Sequence, residues 1–312
     1  MKISKKNLNV NKKKTFKAPK RFKSIISPKK QVKHTDWEGN GLDIFLSFFV
    51  LYVKYKNVIF PFRNLTLDKE DFMWKLVIRY SCYSGNDFKI TFPFEENKFF
   101  QFIKEYVDKY QTKTASILVD SKKKRNVRFI IFGLYLGDNT CDISKGHFNL
   151  AILDIKKMIL ERYEPYGSEF SERSFEIKFD KKLAKIFIKN GIKLKGIYTP
   201  SKFIPRQSFQ YIEEYKQKSI YQKKDDPFGF CGPWCVWYCG LRLKYPDLPP
   251  NLLIKRALNI LKKEKKPLRN LIRNEAQSYL DKSKELLGRS LSIKNDTYSL
   301  ENNIQKLIIK YW

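Results

Sequence analysis

The chain has 312 residues, 42% of them hydrophobic, which is enough to bury the core of one large domain. Lys and Arg outnumber Asp and Glu by 63 to 32, giving a net charge of +31, and the longest apolar run, "LDIFLSFFVLYVKY", is interrupted by Asp43 and Lys54, which argues against a membrane span. Five cysteines, an odd number with three of them clustered, do not suggest a disulfide framework.

In chain order, the first segment is a basic arm. Residues 1–33 carry thirteen Lys or Arg and no Asp or Glu. With so few apolar residues the segment reads as disordered when free, and Lys12, Lys13, Lys14, Lys20, Arg21, Lys29 and Lys30 are the candidate contacts to nucleic acid or another polyanion. An AT-rich genome, which favours Lys, Asn and Ile codons, offers a second origin for the excess charge. No apolar segment of signal-peptide type is present, so the chain is not read as secreted and a reducing compartment is expected. The boundary falls near Trp37, with residues 1–36 as the arm and 37–312 as one domain.

"LDIFLSFFVLYVKYK" reads as a buried helix, and "EENKFFQFIKEYVDKYQ" (95–111) as an amphipathic one with Phe99, Ile103, Tyr106 and Tyr110 at helical spacing. The period then changes. "RFIIFGLYL" (128–136), "HFNLAILDI" (147–155) and "MILERYEP" (158–165) are β-rich, the last two joined by the polar link "KK". "DKKLAKIFIKNG" (180–191) reads as a helix ending on Gly191, and "SFQYIEEY" (208–215) as a candidate strand. Helices follow at 233–244, after Pro249 or Pro250, and in "PLRNLIRNEAQSYLDK". The pattern predicts an α+β domain whose central sheet, mainly antiparallel, is flanked by helices.

Only two histidines are available, His34 at the edge of the arm and His147 at the start of a strand. Glu164 stands seventeen residues after His147, at the end of the neighbouring strand. A hairpin turning at "KK" brings the two together. An imidazole beside a carboxylate is an oriented general base. Asp154 and Glu161 are alternative acids, though Asp154 lies close to the turn. Asn149, two residues after His147, shares its sheet face and could assist the site or make a structural hydrogen bond. "EPYG" (164–167) reads as a turn or as a substrate contact.

The nucleophile comes from "DDPFGFCGPWCVWYCGLRL" (225–243), where Cys231, Cys235 and Cys239 share one helix face. Cys231 stands between Gly229 and Gly232, at the start of the helical pattern. A helix N-terminus favours thiolate and offers free backbone N–H groups to an oxyanion, that of Gly232 among them. Cys235 and Cys239, in a helix with Trp234, Trp237 and Tyr238, read as core residues. C-x3-C-x3-C lacks the paired spacing of zinc ligands and has only His147 as a distant fourth, so no metal is expected.

The order of His, an acid seventeen residues later, then Cys-Gly opening a helix resembles the Ulp/SENP and adenain-like cysteine proteases, the superfamily called clan CE. "GHFNLAILDIKKMILERYEPYG" and "DDPFGFCGPWCVWYCGLRLKYPDL", followed by "LIRN", are similar to a group of largely uncharacterised giant-virus proteins, over about residues 128–280. The resemblance implies an adenain/Ulp-like fold with His147 as base, Glu164 as orienting acid and Cys231 as nucleophile. It also marks departures. Phe148 stands where the SUMO proteases commonly have Trp, and Phe228 replaces a glycine of the viral pattern. Asp225 occupies the place of the Gln that completes the oxyanion hole, which leaves Gln210 or Gln222 as substitutes. The implied activity is a thiol protease or ubiquitin-like isopeptidase that needs no cofactor and acts on a viral polyprotein or a ubiquitin-like conjugate, in the virion or in the host cytoplasm or nucleus. Two alternatives stand beside it: a YopJ-like acyltransferase using acetyl-CoA, and a basic nucleic-acid-binding virion protein on an inactive protease fold.

Overall fold

The computed structural model describes residues 35–37, 39, 41–61, 77–84, 87–112, 117–120, 123–137, 147–171, 174–216, 230–265 and 267–288. Nine strands are formed among them: β1 (Val58–Ile59), β2 (Val77–Ser84), β3 (Asp87–Thr91), β4 (Ile117–Asp120), β5 (Lys123–Arg125), β6 (Phe129–Leu136), β7 (His147–Asp154), β8 (Ile159–Tyr163) and β9 (Gly196–Tyr198). The long helices are α1 (Gly41–Lys54), α2 (Glu96–Gln111), α3 (Ser174–Lys189), α4 (Cys231–Lys244), α5 (Pro250–Glu264) and α6 (Leu268–Leu287). None is long and apolar enough to cross a membrane.

The main sheet has the order β3-β2-β6-β7-β8-β9, with β1 also on β6; β4 and β5 pair separately. Its centre, β6-β7-β8, is antiparallel, as is β2-β3. β1 and β2 run parallel to β6, and β9 parallel to β8. Helices cover both faces. On one, Phe148 of β7 packs on Phe48 of α1 and Tyr163 of β8 stacks on Tyr238 of α4 at 4.1 Å. On the other, Phe132 of β6 meets Phe99 of α2 and Phe187 of α3. Alternation along each strand therefore divides one core into two layers.

The turn between β7 and β8 takes in Ile155 and Met158 as well as the two lysines, so both strands are shorter than the apolar pattern suggests. Asp154 Oδ1 accepts the N–H groups of Lys156 and Lys157, and Met158 takes a positive φ of 54°. The candidate strand at 208–215 is instead a helical turn, Phe209–Tyr211, running into a π turn, Ile212–Lys216. The same letters satisfy both periods, because Phe209 and Glu213 are buried four residues apart. Helix α3 begins at Ser174, six residues before the helix read from the sequence. Helix α5 starts on Pro250 as its first residue, where a missing N–H costs nothing.

Candidate active site

The register of the hairpin positions Glu164 and His147. Leu150 pairs with Tyr163, so one further step of the register would set Glu164 opposite Asn149. Glu164 is then the diagonal neighbour of His147, within reach of its side chain. Pairing stops at Tyr163, and Pro165 follows, which has no N–H to offer a ladder. His147 Nε2 lies 2.6 Å from Glu164 Oε1; the carboxylate side chain is fully buried and the imidazole 15% exposed.

Cys231 is the first residue of α4 and is partly exposed. It lies close enough to His147 to take part in raising the pKa of the imidazole. Since Nε2 is taken by Glu164, Nδ1 is the ring atom left for the thiol. Two of the first three helix positions, Cys231 and Gly232, carry backbone N–H groups with no partner inside the helix, while Pro233 has none to leave unsatisfied. Gly232 makes a close approach: a Cβ there would lie 3.1 Å from Ile44 Cγ1, tighter than ordinary contact, and 3.7 Å from Trp37 Cζ2. The helix start is thereby wedged against α1 and the buried Trp37.

Electrostatics bind the three groups together. Burial by itself would depress the His147 imidazole, but the Glu164 carboxylate, the neighbouring Cys231 and the hydrogen bond to Glu164 lift its pKa to about 10. Burial by itself would raise Glu164. The charge and hydrogen bond of His147, the N–H of Tyr166 and the charge of Arg162 instead hold it below the usual carboxylate range. Both shifts favour an imidazolium–carboxylate pair at neutral pH.

The loop carrying Glu164 is fastened along its length. Tyr166 N–H donates to Glu164 Oε1 at 2.9 Å, the oxygen that also meets His147. The carbonyls of Pro165 and Tyr166 accept N–H bonds from Gln210 and Ser208, and Ser168 and Glu169 donate to the carbonyls of Pro205 and Arg206. Gly167 sits at φ 122°, where a Cβ would come within 2.2 Å of the Arg206 carbonyl oxygen.

The remaining candidates have other partners. Asn149 is buried, and its Oδ1 accepts from Arg162 Nη1 at 2.9 Å; Arg162 also grips Asp180 of α3 through Nε and Nη2. Gln210 is buried too, with its amide nitrogen donated to Glu214 at 2.8 Å. Asp154 is paired with Arg128, and Glu161 with Arg242. Cys235 and Cys239 are fully buried, and burial pushes both thiols well above their ordinary range. The Cys235 thiol donates to the Phe148 carbonyl at 3.6 Å. No group of three metal-ligating side chains occurs among the described residues. Gln222, Asp225, Phe228 and the lysines and arginine of the arm lie outside the described residues. Tyr166, whose ring packs on His147, and Glu214, which accepts from the Tyr166 phenol, are visible in the sequence only as parts of "EPYG" and of the strand-like "SFQYIEEY".

No family model matches the chain. It is 26% identical to ankyrin repeat protein L371 of Acanthamoeba polyphaga mimivirus over an alignment of 287 positions that covers 87% of this chain and 35% of that protein. The chain thus spans about a third of the length of the curated relative it matches. Among solved structures, ChlaDub1 of Chlamydia trachomatis overlaps 83% of this chain and 95% of its own, at 12% identity and a TM-score of 0.37. The Chlamydia trachomatis effector Cdu1 bound to ubiquitin overlaps 79% and 92%, at 12% identity and a TM-score of 0.34. The SUMO protease Ulp1, with its catalytic cysteine oxidised to a sulfinic acid, overlaps 84% and 83%, at 13% identity and a TM-score of 0.28. At these TM-scores the likeness carries no weight of its own.

Proposed function

We propose that the protein is a cysteine peptidase or ubiquitin-like isopeptidase of the clan CE type, with Cys231 as nucleophile, His147 as general base and acid, and Glu164 as orienting acid. One observation carries the reading: the 2.6 Å contact of His147 with the buried Glu164, on an imidazole whose pKa is also raised by Cys231, the first residue of a helix. The motif resemblance supports it. In this reading the Cys231 thiolate attacks the substrate carbonyl and forms a C–S bond, and the N–H groups of Cys231 and Gly232 face the oxyanion. The His147 imidazolium protonates the leaving amine. A water molecule, deprotonated by the same imidazole, then cleaves the thioester and frees the thiol.

The test is cleavage of ubiquitin, SUMO and Gly-Gly peptides bearing a fluorogenic C-terminal amide. Hydrolysis that is lost in Cys231→Ala and His147→Ala, with the variants still folded, supports the reading. Transfer of an acetyl group from acetyl-CoA to a protein amine, with no amide hydrolysis, favours the acyltransferase instead. The thirteen cationic residues of 1–33 support a polyanion partner for the arm. Their deletion should then flatten the salt dependence of binding to DNA or RNA, because fewer counterions are released.

A further inference from the structure

Tyr166 contacts the site in two ways that turn chemistry alone does not require. Its backbone N–H fixes the oxygen of Glu164 that meets His147. Its ring packs on the imidazole, with centroids 4.8 Å apart and planes inclined by 42°. The ring is itself restrained, because the phenol donates to Glu214 Oε2 at 2.6 Å. Glu214 is held from the other side by the Gln210 amide, which reaches its Oε1 at 2.8 Å. Both residues belong to the helical and π turns at 209–216, where the neighbouring Glu213 is ion-paired with Arg269 of α6. π turns are frequent at functional sites because they aim side chains that a regular helix would not.

We propose that Tyr166, tethered through its phenol to Glu214, is a positioning residue that holds the His147 ring between Glu164 and Cys231. This rests on the reading of Cys231 and His147 given above. An imidazole carried at the first residue of a strand turns about two side-chain bonds, and its Glu164 contact restrains only one edge. The aromatic face closes off the rotamers that would swing Nδ1 away from the thiol. The Glu214 tether keeps that face from moving. The chain so formed, from Gln210 through Glu214 and Tyr166 to His147, links the nucleophile's partner to the turn that also grips the acid loop.

The experiment measures the rate of Cys231 alkylation by iodoacetamide at neutral pH, with the modified residue identified by mass spectrometry and folding checked by thermal melting. It requires no knowledge of the substrate. His147→Ala should slow the reaction, which tests the underlying reading. Tyr166→Ala should slow it about tenfold, as misplacement of a reacting group does. Tyr166→Phe keeps the ring and loses the tether, and should recover part of that loss. Glu214→Ala should match Tyr166→Phe, and the double variant Tyr166→Phe/Glu214→Ala should be no slower than either single one, since both remove the same hydrogen bond. If His147→Ala slows alkylation while Tyr166→Ala leaves it unchanged in a folded protein, or if the two tether substitutions add, the positioning role is overturned and the catalytic reading survives. If His147→Ala has no effect, the catalytic reading fails and this proposal falls with it.

Discussion

His147 Nε2 and Glu164 Oε1 stand 2.6 Å apart across the open end of a hairpin, with the carboxylate side chain fully out of solvent. A charge so placed must be compensated, and the imidazolium is what compensates it. Replacement of Glu164 by Gln keeps the shape and removes the charge. The His147 pKa should fall from about 10 toward its ordinary value, as read from the imidazole C–H resonances. Turnover should drop roughly 10²- to 10⁴-fold, the scale seen when an orienting carboxylate is made neutral.

The same pair shapes stability against pH. His147 is raised in the folded state, so its contribution is fully present below its ordinary 6.5 and is lost as pH climbs toward about 10. Glu164 is lowered, so its contribution is present above its ordinary 4.5 and is lost as pH falls through its folded value. The unfolding free energy of the wild type minus that of Glu164→Gln, measured by urea titration, should therefore be flat between about 4.5 and 6.5 and shrink on either side.

Cys235 and Cys239 should behave as packing residues. Both are fully buried among Trp234, Trp237 and Tyr238. Each change to Ala should cost about 1 kcal/mol of stability and leave the alkylation rate of Cys231 intact. Equal alkylation of all three cysteines in the native protein would contradict this.

How much of this could be read from the sequence depends on the range of the interaction. The hairpin 147–163 was legible because apolar residues and a polar turn specify it locally, and the start of α4 because aromatic residues and Pro233 follow Cys231. The partners of Asp154 and Glu161 were not legible. Arg128 and Arg242 reach them from other elements, and only the folded core sets those pairs against each other. The segment 208–215 was misread because its few apolar residues suit either period, and the choice is made by N–H bonds to the acid loop. Tyr166 was invisible as a site residue for a similar reason. Its ring reaches His147 through the turn that follows the last ladder pair, Leu150 with Tyr163, and local sequence does not specify that path.

Gly167→Ala should be disruptive beyond the loss of a turn residue. At φ 122° the added Cβ would meet the Arg206 carbonyl oxygen at 2.2 Å, so the loop after Glu164 must move. A loss of roughly 1–3 kcal/mol is expected from the strained backbone. Slower alkylation of Cys231 should accompany it, because Glu164 is carried by the same loop. A variant as stable and as reactive as the wild type would show that the fastening of this loop is unimportant.

The buried pair Glu161–Arg242 offers a control away from the nucleophile. The two are joined at 2.8 and 2.9 Å, and both side chains are buried. Glu161→Ala should cost about 3–5 kcal/mol by stranding the guanidinium, whereas Glu161→Leu combined with Arg242→Met should cost much less. Thermal melts of the three proteins decide it.

The most direct measurement of the central claim is covalent capture by ubiquitin, SUMO and Gly-Gly-peptide probes that carry a thiol-reactive C-terminus, with the modified residue located by mass spectrometry. At least one probe should attach to Cys231 alone, with attachment lost in Cys231→Ala and strongly slowed in His147→Ala. Modification shared among Cys231, Cys235 and Cys239, or labelling of Cys231 at an undiminished rate without His147, would contradict it.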